Sequence, residues 1–202
     1  MIPLADPTLA ENLKAAGTPQ ERAEALFTYM QAHGNSFYDE SVTQLQHALQ
    51  SASLARNAGA TAEQVTAALL HDIGHFLMEE HDEQSSFLEE DWEHETIGAK
   101  YLEPFLNAGI TEPIRLHVPA KRYLCTTDPD YYNGLSRASQ RSFQLQNGKM
   151  SAEEIAEFEQ HPHFKTAVFL RRWDDGAKVS DLAVGGLESF RSEVEQSFAR
   201  LS

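Results

Sequence analysis

The sequence predicts an all-α fold. Apolar residues recur at helical spacing along the chain, no stretch alternates persuasively at period two, and helix-opening proline or threonine is repeatedly followed by a closing glycine or asparagine. Pro7 to Ala16 and Pro19 to Gly34 read as two scaffold helices with Leu9, Leu13, Leu26 and Met30 on their apolar faces. Asn35 to Glu40 is a short polar and aromatic connection to a third helix beginning near Ser41, which carries His47 beside a stripe of Val42, Leu45, Leu49 and Ala52. Thr61, with Gln64 three residues on, caps a fourth helix that runs through Val65, Leu69, Ile73 and Phe76. Glu79 to Asp91 is polar and acidic with little periodicity and reads as a surface loop or short helical turns. Glu93 to Gly109 reads as a helix with His94 in its first turn, and Thr111 to Leu124 as another, bent or interrupted near Pro119. Asp128 to Gly134 is turn-rich. Leu135 to Leu145, Ser151 to Phe158, His163 to Ala177 and Gly186 to Leu201 complete the helices, with a turn at Asn147-Gly148.

The chain of 202 residues suits a single domain, residues 1–202, with an ample core. Its 31 Asp and Glu against 16 Lys and Arg leave a formal charge of -15, which disfavours nucleic acid and anionic membrane as partners. No apolar run is long enough to span a bilayer, and the first residues lack a basic segment followed by an apolar one, so a cytoplasmic location is expected. No protein partner is expected either. Cys125 is the sole cysteine, which excludes an internal disulfide and a thiolate-based zinc site. Any metal must be held by histidine and carboxylate.

The stretch around His71 and Asp72 concentrates the chemistry. These two polar residues end an apolar run, and on a helix adjacent residues point about 100° apart. One metal ion could therefore take the His71 imidazole and one Asp72 oxygen, leaving the second oxygen for another ion. His75 returns to the same face one turn after His71, as ligand or substrate contact. His71, His94 and His117 stand 23 and 23 residues apart, a spacing that lets successive helices fold back on one site. With His47 and an aspartate from Asp174 or Asp175, the set comprises four imidazoles and two carboxylates, suited to two transition-metal ions; iron, manganese and zinc are all admissible.

A histidine, a His-Asp doublet and a distal aspartate on separate helices resemble the pattern of the HD-domain superfamily, a helical bundle, over roughly residues 40–180. The segments QLQHALQSASLA, AALLHDIGHFL, HETIGAKYL, HVPAKRYL, LSRASQRSF and FLRRWDDGAK are similar to one branch, the mixed-valent diiron oxygenases that cleave carbon–phosphorus bonds of 1-hydroxyphosphonates. The resemblance implies an Fe(II)/Fe(III) pair with O2 as cosubstrate, one iron held by His47, His71, Asp72 and Asp174, the other by Asp72, His94 and His117. It implies that His75, Lys121 and Ser139 bind the phosphonate, and that phosphate and a carboxylic acid are released. Lys121 follows His117 by one turn, and Arg171 precedes Asp174 by three residues, so both could reach an anion beside the metals. Asp174 is preferred to Asp175 because Lys178 follows it by one turn. Asp72, His75 and Lys121 are the residues expected to act in catalysis.

One departure concerns the branch's tyrosine, two residues, then glutamate. This chain has Phe37-Tyr38-Asp39-Glu40, with phenylalanine in the tyrosine position. Either Tyr38 takes that place through a shifted loop, or water holds the iron position until substrate arrives; Glu40 fits recognition of a substrate cation. The expected substrate is 2-amino-1-hydroxyethylphosphonate or its N-trimethyl analogue, with hydroxymethylphosphonate a simpler candidate. The alternatives are an HD-type phosphohydrolase of phosphate esters or nucleotides, and a non-catalytic binding protein.

Overall fold

The computed structural model describes residues 7–36, 42–78 and 93–199, and every regular element in them is helical. Helices α1 (Thr8–Ala15), α2 (Pro19–His33) and α12 (Arg191–Ala199) form a supporting layer. Around the site stand α3 (Gln44–Asn57), α4 (Ala62–Leu70), α5 (Ile73–Leu77), α6 (His94–Leu102), α7 (Ala108–Thr127) and α11 (Phe164–Gly176). The short α8 (Tyr131–Gly134), α9 (Arg137–Leu145) and α10 (Ala152–Gln160) lead the chain from α7 to α11.

Local chemistry fixes most helix starts. Thr18, Thr43, Thr61 and Ser151 each form a capping box, the hydroxyl accepting from the third residue's backbone N–H while that residue's side chain accepts from the cap's own N–H. Asn107 caps α7 and Ser136 caps α9 by the same kind of side-chain acceptance. The main core gathers Leu9, Leu26, Phe27 and Met30 with Leu69, Leu70, Phe76, Leu102, Ile114, Leu170 and Phe198. Two smaller clusters lie apart: Ala120, Met150, Phe158 and Ala167, and Cys125, Leu135 and Phe143.

Three elements differ from the sequence-based expectation. The helix opened by Thr61 does not run through the His-Asp doublet: α4 ends at Leu70, and Asp72 sits at φ -100°, ψ 16° before α5 begins. Buried polar groups that must face inward from a short segment favour this break, because a continuous helix would carry the two side chains around the axis. Second, α6 ends at Leu102, and a turn through Phe105 and Leu106 precedes the Asn107 cap. Third, α7 passes Pro113 and Pro119 without interruption. Its packing between α6 and α11 outweighs the missing backbone donors. Ser41, the expected start of α3, lies outside the described residues; the cap at Thr43 opens it.

A close backbone approach positions His94. A Cβ on Gly74 would stand 2.1 Å from the His94 carbonyl oxygen, and one on Gly98 would lie 3.0 Å from Ile73 Cγ2 and 3.1 Å from Gly74 N. Glycine at both places lets α5 and α6 touch main chain to main chain. Glu93, at φ 52°, turns the chain left-handed immediately before His94. Gly74→Ala is expected to force the two helices apart, costing about 1–3 kcal/mol. Urea unfolding measures that loss, and an unchanged midpoint would contradict the close approach.

Candidate metal centre

Five helical elements deliver one side chain each, or two, to a buried point. His47 comes from α3, His71 and Asp72 from the break between α4 and α5, His94 from the start of α6, His117 from the middle of α7 and Asp174 from the last turn of α11. His47, His71, Asp72, His117 and Asp174 are buried. All six expected ligands therefore meet.

The carboxylate of Asp72 divides the imidazoles into two pairs. Its Oδ2 lies 3.4 Å from His47 Nε2 and 3.3 Å from His71 Nε2. Its Oδ1 lies 3.4 Å from His94 Nε2 and 3.6 Å from His117 Nε2. Within each pair the Nε2 atoms are 3.2 Å apart. Asp174 Oδ1 joins the first pair at 3.2 Å from His47 Nε2 and 3.8 Å from His71 Nε2.

Hydrogen bonds at the far side of the rings decide what those nitrogens can do. His47 Nδ1–H donates to the Ala177 carbonyl at 2.8 Å, His71 Nδ1–H to Ala68 at 2.9 Å and His117 Nδ1–H to Ile114 at 2.7 Å. A carbonyl opposite Nδ1 requires the proton there, so in the neutral ring Nε2 presents a lone pair to the centre. Glu95, also buried, holds Oε2 3.6 Å from His94 Nδ1. Converging lone pairs repel unless positive charge stands between them. Among the described residues Asp72 Oδ2 and Asp174 Oδ1 are buried without a hydrogen-bond partner, an arrangement that costs on the order of several kcal/mol when nothing compensates it.

Two kinds of positive charge relieve this arrangement. Burial opposes a proton on His71, but Asp72 and Asp174 outweigh it and push its pKa up to about 10. Burial would raise the Asp72 pKa, yet His71 and the other rings hold it well below the usual carboxylate range; Arg171 and Lys178 do the same for Asp174. His117, desolvated and beside His94, is driven the other way and stays neutral. A metal cation at each pair would satisfy its lone pairs and the carboxylate oxygen that faces them. Nitrogen and carboxylate oxygen donors of this mixture suit iron, manganese or zinc. His47, His71 and Asp72 form one group able to hold an ion; His75 and His94 can also combine with Asp72. The His75 ring stacks on His94, centroids 4.1 Å apart.

A cationic flank adjoins the Asp174 side. Arg171 NH1 donates to Asp174 Oδ2 at 2.7 Å, and its other edge forks onto Asp175, which also accepts from the Tyr131 hydroxyl. Lys121 donates to Ser142 Oγ at 2.8 Å, and Lys178 to Ser139 Oγ at 2.9 Å. Burial, aided by Arg171, lowers the Lys121 pKa to about 7. Tyr38 and Glu40 lie outside the described residues. Sequence reading missed Tyr131 and Ser142. Ser142 follows Ser139 by one helical turn, a spacing that could have identified it; Tyr131 carried no such signal.

Addition of a transition-metal ion to chelator-treated protein is expected to raise its unfolding temperature, since an ion at 100 times its Kd contributes about 2.7 kcal/mol. Asp72→Ala should abolish the rise, as measured by calorimetry; an equal rise in the variant would refute a shared carboxylate.

Comparison with known proteins agrees with this geometry. Residues 45–128 match the HD domain family. The chain is 64% identical, over 93% of its length and 94% of the relative's, to a hydroxymethylphosphonate dioxygenase of Gimesia maris. It is 46% identical, over 72% and 74% of the two lengths, to the [1-hydroxy-2-(trimethylamino)ethyl]phosphonate dioxygenase (glycine-betaine-forming) of Leisingera caerulea. An uncharacterised protein of Acanthamoeba polyphaga mimivirus is 37% identical over 81% and 75%. Similarity at this level over nearly the whole chain, joined to the His-Asp centre, shows that the protein belongs to the HD-domain superfamily, in its branch of phosphonate dioxygenases.

Proposed function

We propose that this chain is a diiron oxygenase that uses O2 to cleave the carbon–phosphorus bond of a small 1-hydroxyphosphonate, with hydroxymethylphosphonate as its substrate. The observation that carries the reading is the Asp72 carboxylate shared between two pairs of imidazole Nε2 atoms. His47, His71, Asp72 and Asp174 would hold one iron, and Asp72, His94 and His117 the other. When bound, an Fe(II)/Fe(III) pair supplies the one-electron chemistry that O2 needs to react with a C–H bond. The names of the 64% and 46% identical relatives favour oxygenation over the phosphohydrolase alternative. The greater likeness to the hydroxymethylphosphonate enzyme favours a substrate without an amine over the amine-bearing substrates suggested by the sequence.

The residues around the centre have complementary work. Two carboxylates against five metal charges leave about three positive charges, which a phosphonate dianion offsets. Lys121, Ser139, Arg171 and His75 would grip the phosphonate, and the hydroxyl-bearing carbon would then face the metals. Burial of Asp72, His47, His71 and His117 would limit the access of bulk water to the reacting carbon. The reaction balances without another reductant. One O2 and hydroxymethylphosphonic acid become formic and phosphoric acids as C–H and C–P bonds break and C–O and P–O bonds form. All of this fits one HD-type unit spanning residues 1–202. Among the described residues no helix is long and apolar enough to cross a membrane, which accords with work on a water-soluble substrate in the cytoplasm.

Iron-loaded protein is expected to consume one O2 per phosphate released from hydroxymethylphosphonate; phosphate release at the same rate under nitrogen would establish the hydrolase instead. The trimethylamino analogue should show a kcat/KM lower by at least about tenfold, a preference set by pocket contacts.

Lys121 faces Arg171 and Lys178, which oppose its charge, and Asp174 and Asp175, which favour it. It binds a dianion only when protonated. With a pKa of about 7, KM for the phosphonate should therefore rise as pH increases above neutrality. Lys121→Arg, charged throughout, should flatten that rise; an identical profile would remove Lys121 from phosphonate binding.

A further inference from the structure

The Arg171 guanidinium is anchored along one edge and only partly engaged elsewhere. Its Nε–H meets Asp175 Oδ2 at 3.1 Å and the Tyr131 hydroxyl at 3.2 Å, one terminal nitrogen donates to Asp175 Oδ1, and the other donates to Asp174 Oδ2 at 2.7 Å. A guanidinium carries a pair of N–H groups on each terminal nitrogen. Among the described residues, these contacts therefore leave one N–H on each terminal nitrogen for a ligand, on a side chain only 4% exposed. Buried donors of a cation call for acceptors, and phosphonate oxygens supply them.

Asp175 has an alternative to holding that edge. Its side chain is 17% exposed, against 1% for Asp174, and it lines a cavity of about 280 Å³ together with Tyr131, Leu135 and Arg172. A carboxylate there can turn towards water or towards the Arg172 cation, and a pair four residues apart on one helix holds little by itself against that freedom. The Tyr131 hydroxyl closes this alternative. It accepts from Arg171 Nε–H and donates to Asp175, so phenol, carboxylate and guanidinium form one hydrogen-bonded ring. Burial, together with Asp175, raises the Tyr131 pKa, so the phenol keeps the proton that it donates. The aromatic ring packs against the Cys125, Leu135 and Phe143 cluster, a contact that phenylalanine would make as well. Packing thus accounts for the ring and not for the hydroxyl.

We infer that Tyr131 is a positioning residue for phosphonate binding: its hydroxyl locks Asp175 onto the outer edge of Arg171 and so presents the remaining N–H groups of the guanidinium to the substrate. The inference rests on the phosphonate reading above and extends the site to a residue of α8 that acts only through Arg171.

Calorimetric titration of inorganic phosphate into iron-loaded protein, paired with steady-state kinetics on hydroxymethylphosphonate, tests it. Tyr131→Phe keeps the ring and removes the hydroxyl alone. It is expected to raise the phosphate Kd and the KM by about 3- to 10-fold, the range for loss of one hydrogen bond. Its kcat should stay within about twofold, and its iron content and circular dichroism spectrum should equal those of the native protein. The readout that a merely structural role would not move is the coupling to Arg171. Arg171→Lys keeps a cation for the anion but has no Nε edge to lock, so in that background Tyr131→Phe should change phosphate affinity by less than about twofold. An unchanged phosphate Kd in Tyr131→Phe would overturn the inference, as would an equal loss in the Arg171→Lys background or a loss that only tracks lost iron. Failure of native protein to turn over hydroxymethylphosphonate with O2 would instead defeat the proposed function, while the phosphate titrations would still decide whether Tyr131 acts through Arg171.

Discussion

A single carboxylate, Asp72, touches both halves of the centre, and the surrounding structure is organised to let it do so. Its two oxygens face opposite pairs of imidazole nitrogens, each pair drawn from two different helical elements. A residue in the middle of a regular helix would present its carboxylate from a fixed direction. The break between α4 and α5 places Asp72 at a turn instead, where it reaches α3 on one side and α6 and α7 on the other. The buried core beneath, from Leu69 and Leu70 to Phe76, anchors both sides of that turn.

The charge of the molecule is sorted by depth. A net -15 is carried largely at the surface, while Lys121, Arg171 and Lys178 collect beside the buried centre. Arg171 joins the two regions, bonding the outer oxygen of Asp174 and thereby leaving its other oxygen to the imidazoles. Asp175 and Tyr131 hold the guanidinium from behind. Serine hydroxyls of α9 accept from the two lysines, Ser142 from Lys121 and Ser139 from Lys178.

Much of this was legible in the sequence, for identifiable reasons. Candidate ligands such as His71, Asp72 and His117 are polar residues on apolar faces, and burial without partners is costly enough to betray them. Thr61 and Gln64 mark the start of α4 in plain local chemistry, while Thr43 and Gln46 open α3 two residues after the expected Ser41. The interruption at Asp72 was hidden because helical periodicity continues across it, from Leu69 to Ile73 and Phe76. The passage of α7 through Pro119 was hidden for the opposite reason: local preference argued for a break, and tertiary packing overrode it. Tyr131 depends on a residue 40 positions away, and no local pattern announces such a pairing.

The rings of His71 and His117 are each tethered to a carbonyl three residues back, His71 to the last turn of α4 and His117 within α7. Their orientation is consequently settled by the local chain as soon as that turn of helix exists. Small metal-dependent domains often gain their shape only on capturing the ion. Here an extensive apolar interior and self-oriented donors would let the polypeptide complete its shape before it captures a metal.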